Sequence, residues 1–521
     1  MKKLLLICLL AAISCGKDTP ETENRPDAGQ HGITHGMIVL GDRLEDPYSV
    51  DHMSEALRSL YPTKTGLQRV VPTDYYVRFL PRTEEEYGRL LAAGLWLQDH
   101  PVDYRIVQEG DYYHDPAVPE GDYTWQYTVV PTDFAFPDGI PCEVLDECYL
   151  PEHDPQTKAD TGIDWLSVER EAYRLSGNGD AWCPGTKAGD CPKGRIAIVD
   201  DEVDDEPAGV KGVLVCCNSF VKFSTAYTDE EGYYELPRAF SSHARYRLVF
   251  QNVKGFSLGF NLVLVPGSVS TLGEQSPSGV SIVVDKHSER KLFTRCVVNN
   301  AGYDYWDACE GRSESLSTPP GNFRLWLFPD LSGALPLMLQ QGVLVDNTIV
   351  SEWLGEYATL VKRFLPDALL GLLGASNYRT VYAAATKQFA HASHYMQAGT
   401  EWWDSLASFY LQSFVLSGAR SSVGAGTEEN AGYCELAEMW AGYLQTLLMR
   451  ERYGTDMPVY GASHWFFPQL FLYLDERGLD RFKIFAGLTS DVTDKQGLQQ
   501  RLQSLYPEYR STIAQAFARY Q

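Results

Sequence analysis

The period of the apolar residues changes along the chain, and that change limits the fold more than any single motif. Between Ile196 and Phe250 apolar residues alternate, at Val213-Leu214-Val215 and again from Phe220 to Phe223, which is the two-residue period of strands. From about Pro319 they recur every three or four residues instead. The recurrence covers Asn347 to Phe364, Thr380 to Ala398, Trp402 to Leu416, Tyr433 to Met449 and Leu498 to Tyr520, so these segments are expected to be helices. The N-terminal third mixes both periods. Val50, Met53, Leu57 and Leu60 predict a short amphipathic helix stopped by Pro62, and Tyr75 to Leu80 and Val102 to Gln108 predict strands. Thr83-Glu84-Glu85-Glu86 fits a capping box, with a helix that ends near Gly94. The expected class is multidomain α+β: a small αβ unit over 36–175, a Cys/Gly/Pro linker over 176–193, a β part with an extension over 194–318, and a helical part over 319–521. LRSLYP at Leu57 to Pro62 and LQSLYP at Leu502 to Pro507 read as two helices stopped by proline rather than as a repeat.

The start, MKKLLLICLLAAISC, has two lysines, an apolar run from Leu4 to Ile13, and a small residue, Ser14, before Cys15. This is the layout of a cleaved secretory signal over residues 1–14, with a run too short to span a bilayer. Ala12-Ile13-Ser14-Cys15 resembles the lipobox of bacterial lipoproteins, with Ala12 where that family prefers Leu. The resemblance implies lipid on Cys15. Residues 15–35 are almost free of apolar side chains and read as a flexible tether. Lys17-Asp18 resembles the charged tether that sends some Gram-negative lipoproteins to the cell surface. The expected location is therefore the outer membrane, surface-exposed, with the membrane as a partner through the lipid.

Loss of Lys2 and Lys3 with the signal takes the 44 basic residues to 42 against 69 acidic ones, a formal charge of −27. That balance argues against nucleic acid as a partner and against docking on anionic lipid. An exported chain meets oxidising chemistry, so the close pairs Cys142/Cys148, Cys183/Cys191 and Cys296/Cys309 are disulfide candidates. No CxxC spacing is present, which argues against a structural zinc on cysteine.

Thr228-Asp229-Glu230-Glu231-Gly232-Tyr233-Tyr234 resembles the TDxxGxF/Y hairpin of the carboxypeptidase regulatory-like domain. The resemblance implies a prealbumin-like β-sandwich that serves as an accessory module without chemistry of its own. The residue chemistry agrees, because Asp229 can bond the turn amides while Gly232 takes a backbone angle closed to other residues. The three acids are read as turn-formers rather than as calcium ligands.

One constellation suggests chemistry. Thr386-Lys387-Gln388-Phe389-Ala390-His391-Ala392-Ser393-His394-Tyr395 resembles the HELAHASH stretch of zincin-like metallopeptidases. There, two histidines one turn apart bind zinc and a glutamate activates water. Here Lys387 stands for the first histidine and Gln388 for the glutamate. Lysine puts a positive charge where a metal needs a lone pair, and glutamine cannot take a proton from water. Glu435 and Glu438, in Tyr433-Cys434-Glu435-Leu436-Ala437-Glu438-Met439-Trp440, share a helix face and resemble the helix that donates a third ligand in glutamate zincins. The mature chain as a whole resembles a family of surface lipoproteins with a zincin-like domain, as a degenerate copy. His391, His394, Glu435 and Glu438 remain candidate ligands of an alternative zinc site. The preferred expectation is no cofactor, with a Lys387 ion pair to Glu435 or Glu438 filling the space of the metal.

Three functions follow: a non-catalytic surface binding or interaction protein, an active zinc metallopeptidase with non-standard ligands, or a glycan-binding or nutrient-capture lipoprotein. The partner would be extracellular protein, peptide or glycan. For the third, Trp402-Trp403 and Trp96 are candidate sugar-stacking platforms. The glycine-rich run from Ser421 to Thr427 lacks the GK[ST] ending of a phosphate loop and reads as a connection.

Overall fold

The computed structural model describes residues 37–63, 69–119, 122–158, 162–183, 191–259, 267–311, 314–328, 333–343, 366–416 and 423–520. The expected signal, Cys15, the tether, the helix over Asn347 to Phe364, and Ser421 and Ser422 lie outside them. The class is mixed α+β, with several sheets. Among the described residues no helix is long and apolar enough to cross a membrane.

The N-terminal unit contains β1 (Val39–Arg43), α1 (Val50–Leu60), β2 (Asp74–Phe79), α2 (Glu84–Ala92), β3 (Tyr104–Gln108), β4 (Gln126–Pro131), β5 (Cys142–Cys148) and α3 (Trp165–Leu175). β2 lies between β4 and β5 in an antiparallel sheet, and β1 pairs with β3. The Ser49 hydroxyl caps α1 by accepting the His52 amide, and Met53, Ala56 and Leu57 bury against Val168 and Ala172 of α3. Thr83 caps α2 as its sequence predicts, but the Glu86 carboxylate reaches back to the Arg82 amide rather than to that of Thr83.

The next elements are β6 (Lys193–Asp200), β7 (Asp204–Gly209), β8 (Val213–Ser219), β9 (Lys222–Tyr227), β10 (Tyr233–Glu235), β11 (Ala244–Asn252), β12 (Ser257–Leu258), β13 (Val269–Gln275), β14 (Ile282–Val284) and the long helix α4 (Arg290–Cys309). They are followed by β15 (Arg324–Phe328), β16 (Ala334–Pro336) and β17 (Ala368–Gly371), and then by α5 (Tyr378–Ala398), α6 (Thr400–Leu416) and α7 (Ala431–Tyr453). The last helices are α8 (Gln469–Asp475), α9 (Arg481–Phe485), α10 (Lys495–Leu505) and α11 (Arg510–Arg519). One sheet runs in the order β16-β17-β15-β12-β11-β8-β9, with β13 also on β11. It therefore crosses the boundary expected at 318/319. A single apolar core, from Ile196 to Phe517, joins the two sides. Its centre is the packing of Phe389 in α5 on Phe256 (5.2 Å between ring centroids) and on Trp306 of α4 (5.8 Å).

Several expectations are corrected. Cys142 and Cys148 end one strand, roughly 20 Å apart at about 3.3 Å per residue. Cys296 and Cys309 sit on one helix, also roughly 20 Å apart at about 1.5 Å per residue. A disulfide needs α-carbons at about 6 Å, so neither pair can close. All of these thiols, with Cys183 and Cys191, are free. The helix expected from Leu498 to Tyr520 is two, α10 and α11, because Pro507 offers no amide to continue α10.

Phe220 and Val221 are the tip of the β8–β9 hairpin rather than the start of a strand, with Ser219 paired to Lys222. Phe220 takes φ 47°, a left-handed angle that costs a bulky residue of order 1–3 kcal/mol. Val221, fully buried, inserts among Tyr48, Tyr76 and Tyr173 of the N-terminal unit. Its burial contributes about 1.5–3 kcal/mol and offsets the strain. Elsewhere along this seam arginines meet acids: Arg245 with Glu109, Arg295 with Asp111 at 3.2 Å, and Arg324 with Glu84 at 2.8 Å.

The turn at Thr228–Tyr233 forms as its residues predict. The Asp229 carboxylate accepts the Tyr233 amide at 2.8 Å, and Gly232 has φ 81°. A β-carbon there would stand 2.1 Å from the Ile196 carbonyl oxygen, so β6 can approach only a glycine.

Candidate functional site

α5 carries the motif residues because its apolar face has two partners, α4 on one side and α7 on the other. The Asn377 side chain caps its start by accepting the Thr380 amide, and the Gln445 amide of α7 donates to the Ala383 carbonyl at 2.8 Å. That register sets α7 so that Glu438, only 3% exposed, faces the turn of Lys387 and His391.

The Lys387 ammonium lies 2.6 Å from Glu438 Oε2. On the other oxygen, Oε1, the Tyr410 hydroxyl of α6 donates at 2.7 Å, and His391 Nε2 is 3.5 Å away. Burial alone would raise the Glu438 carboxyl, but the charge of Lys387, helped by His391, holds it well below the usual carboxylate range. Glu435 turns elsewhere, and its Oε1 receives the Lys495 ammonium at 2.6 Å. The structure thus brings Lys387, His391 and Glu438 together and leaves Glu435 apart.

His391 and His394 are completely buried. Burial, with the Lys387 charge adding and Glu438 opposing, lowers His391 from the usual imidazole value. Burial and then His391 push His394 down to about 3. The His394 ring packs 4.6 Å from Trp402 and edge-on to Trp403 at 5.5 Å, rather than beside Tyr395. Those two tryptophans are core and are not sugar platforms. Their indoles donate to the Val492 carbonyl (Trp402, 2.8 Å) and to the Pro336 carbonyl of edge strand β16 (Trp403, 2.7 Å).

Gln388 is buried with Oε1 unbonded, and both ring nitrogens of His391 lack a hydrogen-bond partner. Orphaned nitrogens are what a metal would use, yet the remaining donors do not fit one. Among the described residues no three His, Cys, Asp or Glu side chains converge on a point. The nearest carboxylate, Glu438, is already neutralised by an ammonium. Gln388 offers no base, so the arrangement lacks both halves of metal-assisted hydrolysis.

Sequence reasoning missed Tyr410, which completes the Glu438 shell, and Lys495, which removes Glu435. Neither carries a local signal, since each reaches the site from another helix. Comparison with protein-family models, with curated proteins and with solved structures finds no match.

Proposed function

We propose that the chain is a lipid-anchored, surface-exposed protein of the bacterial outer membrane whose helical part descends from a zincin-like metallopeptidase and now binds rather than cuts. One observation carries this reading: the buried Lys387–Glu438 pair, with Tyr410 on the carboxylate, stands where the motif would place the first metal ligand and its neighbour. An ammonium there repels a divalent cation, and Gln388 cannot act as general base. A regulatory-like β module upstream, suggested by the Asp229–Gly232 turn, fits an accessory role in the same chain.

The test has two arms. Wild-type chain loaded with zinc and dialysed should retain less than about 0.1 zinc per chain, whereas about one per chain, with chelator-sensitive peptide cleavage, supports the active peptidase instead. Lys387→His with Gln388→Glu should gain zinc beside His391. No gain removes the peptidase ancestry from the reading. For the anchor, Cys15→Ala should move the chain from the membrane to the soluble fraction, and an unchanged distribution refutes lipidation at Cys15.

A further inference from the structure

A cavity of about 780 Å³ opens at the seam between the N-terminal unit and the β part, away from the helical site. Its size falls in the range of about 300–1,000 Å³ typical of small-ligand sites. Trp96 reaches it from the loop that follows α2, where Gly94, at φ 77°, ends the helix and turns the chain back. Phe223 reaches it from β9, directly behind the hairpin tip that plugs the N-terminal unit. Two aromatic side chains from different segments therefore share one cavity.

Its polar wall is a chain of groups that neutralise one another. Asp74, nearly buried, lies 2.8 Å from His153 Nδ1, and the Arg238 guanidinium donates to His153 Nε2 at 2.5 Å. That pattern fixes the neutral imidazole with its proton toward Asp74. Arg238 Nε also stands 3.4 Å from Glu152, which in turn faces the buried Lys222. Burial would raise Glu152, but Lys222 and Arg238 outweigh it and keep the carboxylate ionised. No cation on this wall is left over to attract an anion. Asp133, exposed on the rim, and the acidity of the whole chain repel one.

We infer that this seam cavity binds a neutral saccharide, with Trp96 and Phe223 against the apolar faces of the sugar rings and the Asp74–His153–Arg238 row and Asp133 on the hydroxyls. Aromatic walls with a few fixed donors and acceptors, and no net charge demand, suit a ligand that is apolar on its faces and hydroxylated at its edge. The site is independent of the helical part, so it stands or falls apart from the reading of Lys387.

The test is calorimetric titration of the full chain from Cys15→Ala onward, without its signal. The probes are the neutral hexasaccharides of glucose (α- and β-linked), xylose, mannose and galactose, with oligogalacturonate and chitosan oligomers as charged contrasts. At least one neutral probe should bind with Kd below about 1 mM. Trp96→Ala should weaken it about tenfold or more, the size expected for a buried aromatic anchor. Asp133→Ala, at an exposed position that leaves folding intact, should weaken it about threefold. Tyr233→Ala, an exposed ring elsewhere, should leave it unchanged. If Trp96→Ala does not fold, Asp133→Ala decides. No neutral binding up to about 10 mM, binding of charged probes only, or affinity that survives every cavity substitution that folds overturns the assignment.

Discussion

Lys387→Met keeps the aliphatic stem of the side chain and deletes its charge, which leaves Glu438 buried beside no cation. Breaking a buried pair from one side costs about 3–5 kcal/mol. Lys387 is 30% exposed, so water already shares its charge, and Tyr410 still donates to the carboxylate; about 3 kcal/mol, the low end, is the expected loss. The core that contains the pair runs from Ile196 to Phe517. A cooperative unit of roughly 320 residues has an unfolding entropy of about 0.7 kcal/mol per kelvin, so melting should fall by about 4–5 °C at pH 7. Glu438→Gln added to Lys387→Met should recover most of that loss, because it removes the orphaned charge while Gln can still accept from Tyr410. The sign with pH is fixed. In wild type the folded-state pKa of Glu438 is depressed, so its contribution is present above the unfolded value near 4.5 and fades as pH falls through the folded one. In Lys387→Met burial raises the carboxyl above that value, so the variant recovers as pH falls toward 4.5 and the gap to wild type narrows. Differential scanning calorimetry of the three chains at pH 7 and pH 4.5 reads all of this. A single variant that melts within about 1 °C of wild type at pH 7, or a double variant no better than the single, refutes the ion pair as the organising contact of the site.

Three further outcomes are expected. His394 is neutral in the fold at about 3 and takes its proton near 6.5 when unfolded, so wild type loses about 2 kcal/mol at this residue between pH 6.5 and 5. His394→Gln should therefore gain that much on wild type between pH 7.5 and 5 in denaturant titrations, and parallel pH profiles would count against a buried neutral imidazole. Gly232→Ala should lower stability by at least about 2 kcal/mol, read as a drop of about 3 °C in melting, since both its angle and the Ile196 carbonyl exclude a β-carbon. Native alkylation should label the exposed Cys142 at once and spare Cys148, Cys296, Cys309 and Cys434 until denaturant is added. A Cys142–Cys148 or Cys296–Cys309 bridge in a non-reducing peptide map would contradict the strand and helix that hold them.

Legibility in the sequence followed the physics of exposure. α1, α2, α5, α6 and α7 show a three- to four-residue period, and all five were readable. α4 was not, because nearly every residue from Leu292 to Cys309 is buried and its polar residues are covered too; Asn299 and Asn300 bond to the Lys211 and Gly209 carbonyls. A helix covered on all sides has no stripe to read. The strands β15 to β17, which follow Pro319, are three to five residues long and too short to show a period. At the site, a lysine and a glutamine in place of histidine and glutamate announced an ion pair, and the spacing narrowed its partner to Glu435 or Glu438. The choice between them needed the register of α7 on α5 and the position of Lys495. The seam cavity had no local trace at all, since Trp96, His153 and Arg238 meet only after the chain has folded.

The Val221 plug has a thermodynamic corollary. The cavity exists only while the hairpin tip is seated, because its walls come from both sides of the seam. A ligand held there thus acts as a reversible crosslink: at ten times its Kd it deepens the closed state by about 1.4 kcal/mol, a tenfold drop in the time the seam spends open. For a chain facing the outside of a cell, where proteases sample every transient opening, occupancy becomes lifetime, and protection from limited proteolysis by sugar would report binding without any label.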